Sequence, residues 1–181
     1  MITIDLGDIE YYDSETNEFM YDKGGTVRFE YSLKVIYDWE SKWLKPFLKG
    51  GLTDEEQLDF YMMMALDPIE ERFITVGVMN KLARYVEESH TATTFSSADE
   101  GQNGNNPFSK GKVYTAEELY ALMFSAQVPL EFETRNLNRL LVVLKIIGLQ
   151  NSPPKKMSKE DIYKKNRELN EQRRQMYNTK G

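Results

Sequence analysis

Residues 135–148 read RNLNRLLVVLKIIG, the most apolar stretch of the chain. Leu137, Leu140, Leu141, Leu144 and Ile147 or Gly148 recur at helical spacing and make one stripe. Val142, Val143 and Ile146 carry apolar surface round to further sides, and a helix like this is central to a fold or to an oligomer. Thr134 or Asn136 opens it. Asn151, Ser152, Pro153 and Pro154 follow, and the double proline holds the chain extended and stiff. The remainder, KKMSKEDIYKKNRELNEQRRQMYNTKG, is nearly all charge and amide. Ser158 is placed to cap a last helix from about 159 to 176. Its apolar positions, Ile162, Tyr163, Leu169 and Met176, are too sparse to bury it in a single-domain core. The sequence therefore predicts a core helix followed by an arm.

Working back toward the N-terminus, Thr115-Ala116-Glu117-Glu118 forms a capping box for LYALMFSAQ, which Pro129 bounds. Residues 96–112, SSADEGQNGNNPFSKGK, are rich in Gly, Asn and Ser and predict a mobile loop. Its glycines match neither phosphate-binding pattern, and no apolar strand precedes them. Phe73, Val76, Met79, Leu82, Ala83 and Val86 predict a helix over about 73–88, with His90, the sole histidine, as a surface or C-cap residue. Thr53-Asp54-Glu55-Glu56 is another capping box, opening a helix that Pro68 stops. Ser32 caps LKVIYDWESKWLKPF, whose Trp39 and Trp43 read as core packing. Before it, Ile2, Ile4 and Leu6 alternate, DSETNE and Lys23-Gly24-Gly25 mark turns, and Val27, Phe29 and Tyr31 alternate again.

The expected fold is α+β: mainly α, with about five to six helices and a small N-terminal antiparallel β-meander. The expected body spans 1–152, with the meander at 1–31 and a helical core at 32–150 that contains the loop 96–112. Residues 153–181 form the basic helical C-terminal arm.

Composition narrows function. At 181 residues with 40% hydrophobic and 29% charged content, the chain suits one ordinary globular domain plus an appendage. No apolar run reaches the roughly 20 residues a membrane helix needs. MITIDLGDIEYYD lacks the basic start of a signal peptide. The absence of cysteine removes disulfides, thiolate metal sites and cysteine nucleophiles, and suits a reducing cytosol. Net charge is −6, yet residues 155–181 hold nine Lys/Arg and four Asp/Glu, so the arm is +5 and the rest −11. A basic arm on an acidic body predicts contact with an acidic protein surface, its own, a copy's or another protein's. Nucleic acid is the lesser reading, because the body repels phosphate.

Nothing in the residues assembles a catalytic group. The acidic clusters 54–56, 70–71 and 117–118 sit at helix starts or turns, and no metal or nucleophile motif occurs. No enzyme, cofactor or metal is expected. The expected partner-binding residues are Met62, Met63 and Met64, a flexible and polarizable run that also suits core filling, and Lys155, Lys156, Arg167, Arg173 and Arg174 of the arm.

Several blocks resemble tail assembly chaperone-like proteins of tailed bacteriophages. Ser32-Leu33, Trp39-Glu40-Ser41-Lys42-Trp43 and Lys45-Pro46-Phe47-Leu48 resemble that family's SL…WESKW.KPFL block. Thr91-Ala92-Thr93-Thr94-Phe95 resembles its TATWF, with Thr94 in place of Trp, Thr115-Ala116-Glu117 its TAE helix start, and Val128-Pro129-Leu130-Glu131 its IPFE. Leu137-Asn138-Arg139-Leu140-Leu141, Pro153-Pro154-Lys155-Lys156-Met157-Ser158 and Asn166-Arg167-x-Leu169-Asn170-x-x-Arg173-Arg174 match it best. These blocks cover most of the chain from Ser32 onward; the N-terminal strands and the 96–112 loop match weakly. The resemblance implies a non-enzymatic helper in the host cytoplasm that coats the phage tape-measure protein until the tail tube polymerises. It also implies contacts with other tail proteins and self-association. A structural subunit of the virion tail, neck or baseplate is the alternative. Members are commonly made in a short and a frameshifted longer form. Sequencing the gene at Lys155-Lys156 is expected to show consecutive AAA codons with an open downstream frame; AAG codons or a closed frame remove the frameshift.

Overall fold

The computed structural model describes residues 1–95, 113–151 and 159–177. The loop expected at 96–112, Pro153, Pro154, Lys155 and Lys156 lie outside the described residues. The chain divides into two compact units, Met1–Gln150 and Asn151–Gly181. The fold is α+β, as expected, with six α-helices among the described residues and four short antiparallel strands.

The strands are β1 (Ile2–Asp5), β2 (Ile9–Asp13), β3 (Glu18–Asp22) and β4 (Thr26–Phe29). They do not run as a serial meander. β1 pairs with β4 and β2 with β3. Ile2 faces Phe29, Leu6 N–H donates to the Gly25 carbonyl, Ile9 faces Asp22 and Asp13 faces Glu18. One register thus runs through the whole length, and the four strands make a single long hairpin with a break in its ladder. The reversal sits at Asp13, whose carboxylate accepts from Glu15 N–H (2.9 Å) and the Thr16 hydroxyl (3.0 Å), with Asn17 left-handed at φ 57°. At the second expected turn, Lys23-Gly24-Gly25, the backbone of Gly24 instead closely approaches that of Leu6 and Gly7. A Cβ on Gly24 would lie 2.0 Å from the Leu6 carbonyl oxygen, so a side chain there forces the strands apart. Asp8 bridges the break by accepting from Gly24 N–H (2.8 Å) and from the Tyr21 hydroxyl.

The other edge of β4 continues into the body. Leu66 N–H donates to the Arg28 carbonyl (2.8 Å) and Glu30 N–H to the Met64 carbonyl (2.9 Å). Arg28 grips Asp67 through Nε (3.0 Å), a terminal guanidinium nitrogen (2.6 Å) and its own backbone N–H (3.0 Å).

Three helices start where their caps predict: Ser32, Thr53 and Thr115 cap α1 (Leu33–Trp43), α2 (Asp54–Met64) and α4 (Ala116–Ser125), with full capping boxes at α2 and α4. α3 (Val76–Glu87), expected from about 73, starts later behind Thr75, because residues 71–73 form a 3-10 turn. Asn136 opens α5 (Leu137–Gln150), its side-chain oxygen accepting from Arg139 N–H at 3.4 Å. The second unit contributes α6 (Lys159–Tyr177).

Burial shifts the centre away from the most apolar helix. Of α5, Leu137, Leu140 and Leu144 are buried, while residues 141–143 and 145–149 stay half-buried. The helix with the most buried positions is α1, with Leu33, Ile36 and Trp39 inaccessible to solvent while Lys34, Tyr37, Asp38, Ser41 and Lys42 form an exposed side. Trp39 donates to the Glu56 carbonyl (3.0 Å), and its ring lies 5.1 Å from Phe47, which lies 4.3 Å from Phe60. Trp43 donates to Asp59 at 2.8 Å. Both tryptophans are structural, as expected.

A buried carboxylate ties the elements together. Glu30 Oε1 accepts from the Tyr85 hydroxyl (2.5 Å), Tyr31 N–H (3.1 Å) and the Asn136 amide (3.3 Å), joining the end of β4 to α3 and to the start of α5. Replacing Glu30 by Ala strips these donors of their acceptor and is expected to cost about 2–4 kcal/mol of folding stability in urea unfolding. The Glu30→Ala/Tyr85→Phe double variant is expected to lose less than the two single losses added. A loss below about 1 kcal/mol removes Glu30 from this role.

Candidate partner-binding surface

The buried carboxylates are engaged in holding structure. Glu40 Oε1 accepts from Phe47 N–H (2.8 Å) and Oε2 from Ala116 N–H (2.7 Å), so one side chain closes two helix N-termini. Glu56 completes its capping box and pairs with Lys45 at 2.5 Å. The Lys45 hydrogen bond and then Thr53 N–H hold its carboxyl below the usual range. His90 places Nε2 2.7 Å from the Tyr85 carbonyl, which requires the proton on that nitrogen. Asn138 donates to the Val86 (3.1 Å) and Glu88 (2.7 Å) carbonyls, so His90 and Asn138 together close the end of α3. Among the described residues, no group of three or more His, Cys, Asp or Glu is arranged to hold a metal. No described helix is long and apolar enough to cross a membrane.

What the body does present is an aromatic ribbon. Strand alternation puts Glu10, Tyr12, Phe19 and Tyr21 on one face of the β2–β3 pair and Ile9, Tyr11, Met20 and Asp22 on the other. The second face is held down. The Arg72 guanidinium stacks 4.4 Å from the Tyr11 ring centre and pairs with Asp22 at 2.8 Å and with Glu70, from the short 3-10 turn Glu71–Phe73 and the residue before it. The first face is open: Phe19 is 73% exposed, Tyr21 65% and Tyr12 53%. Tyr12 and Phe19 meet edge to face at 5.4 Å, and the Tyr12 hydroxyl donates to Asn17 at 2.7 Å. Seven carboxylates and no Lys or Arg lie in residues 1–22, so the ribbon is acidic as well as aromatic. Three large rings held outward on a pinned support form an exposed apolar surface.

A smaller aromatic cluster joins α1 to α4. Tyr37 and Tyr120 meet at 5.5 Å, Tyr120 and Phe124 at 6.1 Å, and the Tyr120 hydroxyl donates to Glu133 at 2.7 Å. Burial and then the Glu133 carboxylate push the Tyr120 hydroxyl's pKa up.

The residues expected to meet a partner are scattered. Met64 is fully buried and cannot meet a partner while the fold is closed; Met62 and Met63 are half-buried against the core. Consecutive helical positions are spread round the axis, so the run cannot present three side chains on one face. Arg167, Arg173 and Arg174 are exposed on α6, with Arg167 3.4 Å from Glu171. The ribbon was missed because its four aromatics read equally well as the buried side of a strand. No signal in the sequence alone marks it, because the register that leaves one face of residues 9–22 open is a long-range pairing. Comparisons with protein-family models, curated proteins and solved structures found no match.

The anchor of this ribbon is acid-sensitive. The Arg28 side chain, then its backbone N–H, lowers the Asp67 carboxyl from 3.8 to about 2. The Tyr21 hydroxyl, then Gly24 N–H, lowers Asp8. A carboxyl that ionises more readily when folded stabilises the fold above its unfolded value and loses that contribution as pH falls through its folded one. Melting temperature is therefore expected to fall from about pH 4 to about pH 2, and Asp67→Asn to flatten that limb. An Asp67→Asn profile parallel to the parent's assigns the acid loss elsewhere.

Proposed function

We propose that this chain is a non-enzymatic phage tail assembly chaperone that binds the tape-measure protein and keeps it soluble in the host cytoplasm. The observation that carries the reading is the ordered series of blocks from Ser32 to Arg174 that resemble such proteins, above all Trp39-Glu40-Ser41-Lys42-Trp43 and the Asn166-Arg167 to Arg173-Arg174 segment. The molecule's physics agrees with a binding role. Its buried carboxylates are committed to hydrogen bonds within the fold, and its large apolar side chains are partly on display on the ribbon and α6. A coating protein needs adaptable apolar contact, and charge to keep the complex dispersed. Other tail proteins and further copies of the chain are additional proposed partners. The acidic N-terminal segment opposes phosphate, so nucleic acid is not among them.

The alternative, a structural subunit of the tail, neck or baseplate, differs in where the protein ends up. Co-expression with tape-measure fragments is expected to move them from the insoluble to the soluble fraction. Mass spectrometry of purified particles is expected to find the chain absent or well below stoichiometric amounts. Stoichiometric recovery in particles rejects the chaperone reading and supports the structural one.

A further inference from the structure

Helix α6 carries an organised stripe. Ile162, Leu169 and Met176 recur at a strict spacing of seven and are 44%, 39% and 75% exposed. At about 100° per residue they fall within about 20° of one line along the helix. Within about 60° of that line lie Lys165, Asn166, Gln172 and Arg173, two cations and two amides. Glu160, Glu168 and Glu171 lie about 100° or more away, and Arg167 pairs with Glu171 at 3.4 Å on that outer side. Steps of 4 and 3 through Ile162, Asn166, Leu169, Arg173 and Met176 are the seam pattern of a two-helix coiled coil. In that register the apolar set occupies one seam position of each heptad, and Asn166 and Arg173 occupy the other.

A second copy fits this seam badly in either direction. A parallel copy stacks Arg173 against Arg173. An antiparallel copy sets Arg173 against Ile162 and Asn166 against Leu169. The first buries like charges together, and the second leaves a cation and an amide against apolar side chains with no acid to pair them. A helix with apolar residues at the same spacing and carboxylates flanking them relieves the cations and covers the stripe.

We propose that the Ile162–Leu169–Met176 stripe of α6 is half of a heterotypic helix–helix seam whose other half is an acidic, heptad-patterned helix of a different protein. This rests on α6 and not on the identity proposed above. The stripe supplies apolar contact, Lys165 and Arg173 select the sign of the partner, and Asn166 sets its register.

The test uses the full chain and a designed probe. A labelled four-heptad peptide with Leu at both seam positions and Glu flanking them is titrated by fluorescence anisotropy, beside the same peptide with Lys in place of Glu. The acidic peptide is expected to bind at least about tenfold more tightly than the basic one, with affinity falling as salt rises. Leu169→Asp is expected to weaken binding about tenfold or more, Leu169→Ala several-fold with the helix retained, and Lys164→Ala on the outer side not at all. Unchanged thermal unfolding of each variant shows the body is intact. No binding by the acidic peptide, equal binding of the two peptides, or full affinity in both Leu169 variants overturns the proposal. So does concentration-dependent self-association that Leu169→Asp abolishes, which makes a second copy the occupant. Since the peptide is designed, failure here leaves the tape-measure co-expression result standing.

Discussion

The Glu30 carboxylate is the contact on which the rest of the body depends. It sits at the point where β4 gives way to α1, inside a run of five buried residues from Phe29 to Leu33. That run is bonded on every side. Its backbone pairs with Met64 at the end of α2 and with Leu137 at the start of α5, while Ser32 caps α1 and the Glu30 side chain reaches Tyr85 on α3. A buried carboxylate is costly unless its oxygens are filled, and this one accepts from a hydroxyl, an amide and a backbone N–H. The arrangement is costly to dismantle piecemeal, because removing any donor leaves the charge less compensated. Five elements are thereby fixed by one short stretch of chain.

That junction explains why the hairpin is able to project. Past the break at Gly24 the β2–β3 ribbon has one covered face and little core of its own, and an isolated two-stranded ribbon is marginal in water. Arg72 and Asp8 supply what packing does not: the guanidinium covers the Tyr11 side, and Asp8 spans the gap in the ladder. The outward rings are therefore held on a tethered support, which lowers the entropy they lose on meeting a partner.

Local chemistry was legible in the sequence and long-range pairing was not. Ser32, Thr53 and Thr115 announced their helices because a cap is decided within four residues, and Pro and Gly marked the intervening breaks. The hairpin differs from the expected meander because Lys23-Gly24-Gly25 has turn composition, yet Gly24 serves close approach between two strands. The inner stripe read on α5 is buried at Leu137, Leu140 and Leu144, while its further apolar sides stay half-buried. Apolar content says how much surface a helix could bury, and its neighbours decide how much of that is covered. Neither Glu30 nor Glu40 could be identified from spacing, since their partners lie 55 and 76 residues away.

The two units expose apolar side chains of different character, and this bears on what the chain is able to bind. The ribbon offers aromatic rings among carboxylates; α6 offers aliphatic side chains beside Lys165 and Arg173. Burial of the apolar groups supplies affinity that salt hardly touches, while the flanking charges set encounter rate and reject partners of like sign. A single partner of uniform charge is favoured at one surface and opposed at the other. A long chain with both acidic and basic stretches satisfies both, each surface selecting its own stretch. Modest contacts of this kind hold while both are engaged and release one at a time, since linking two weak sites raises affinity without deepening either. On the chaperone reading proposed above, stepwise release of this kind suits a temporary coat.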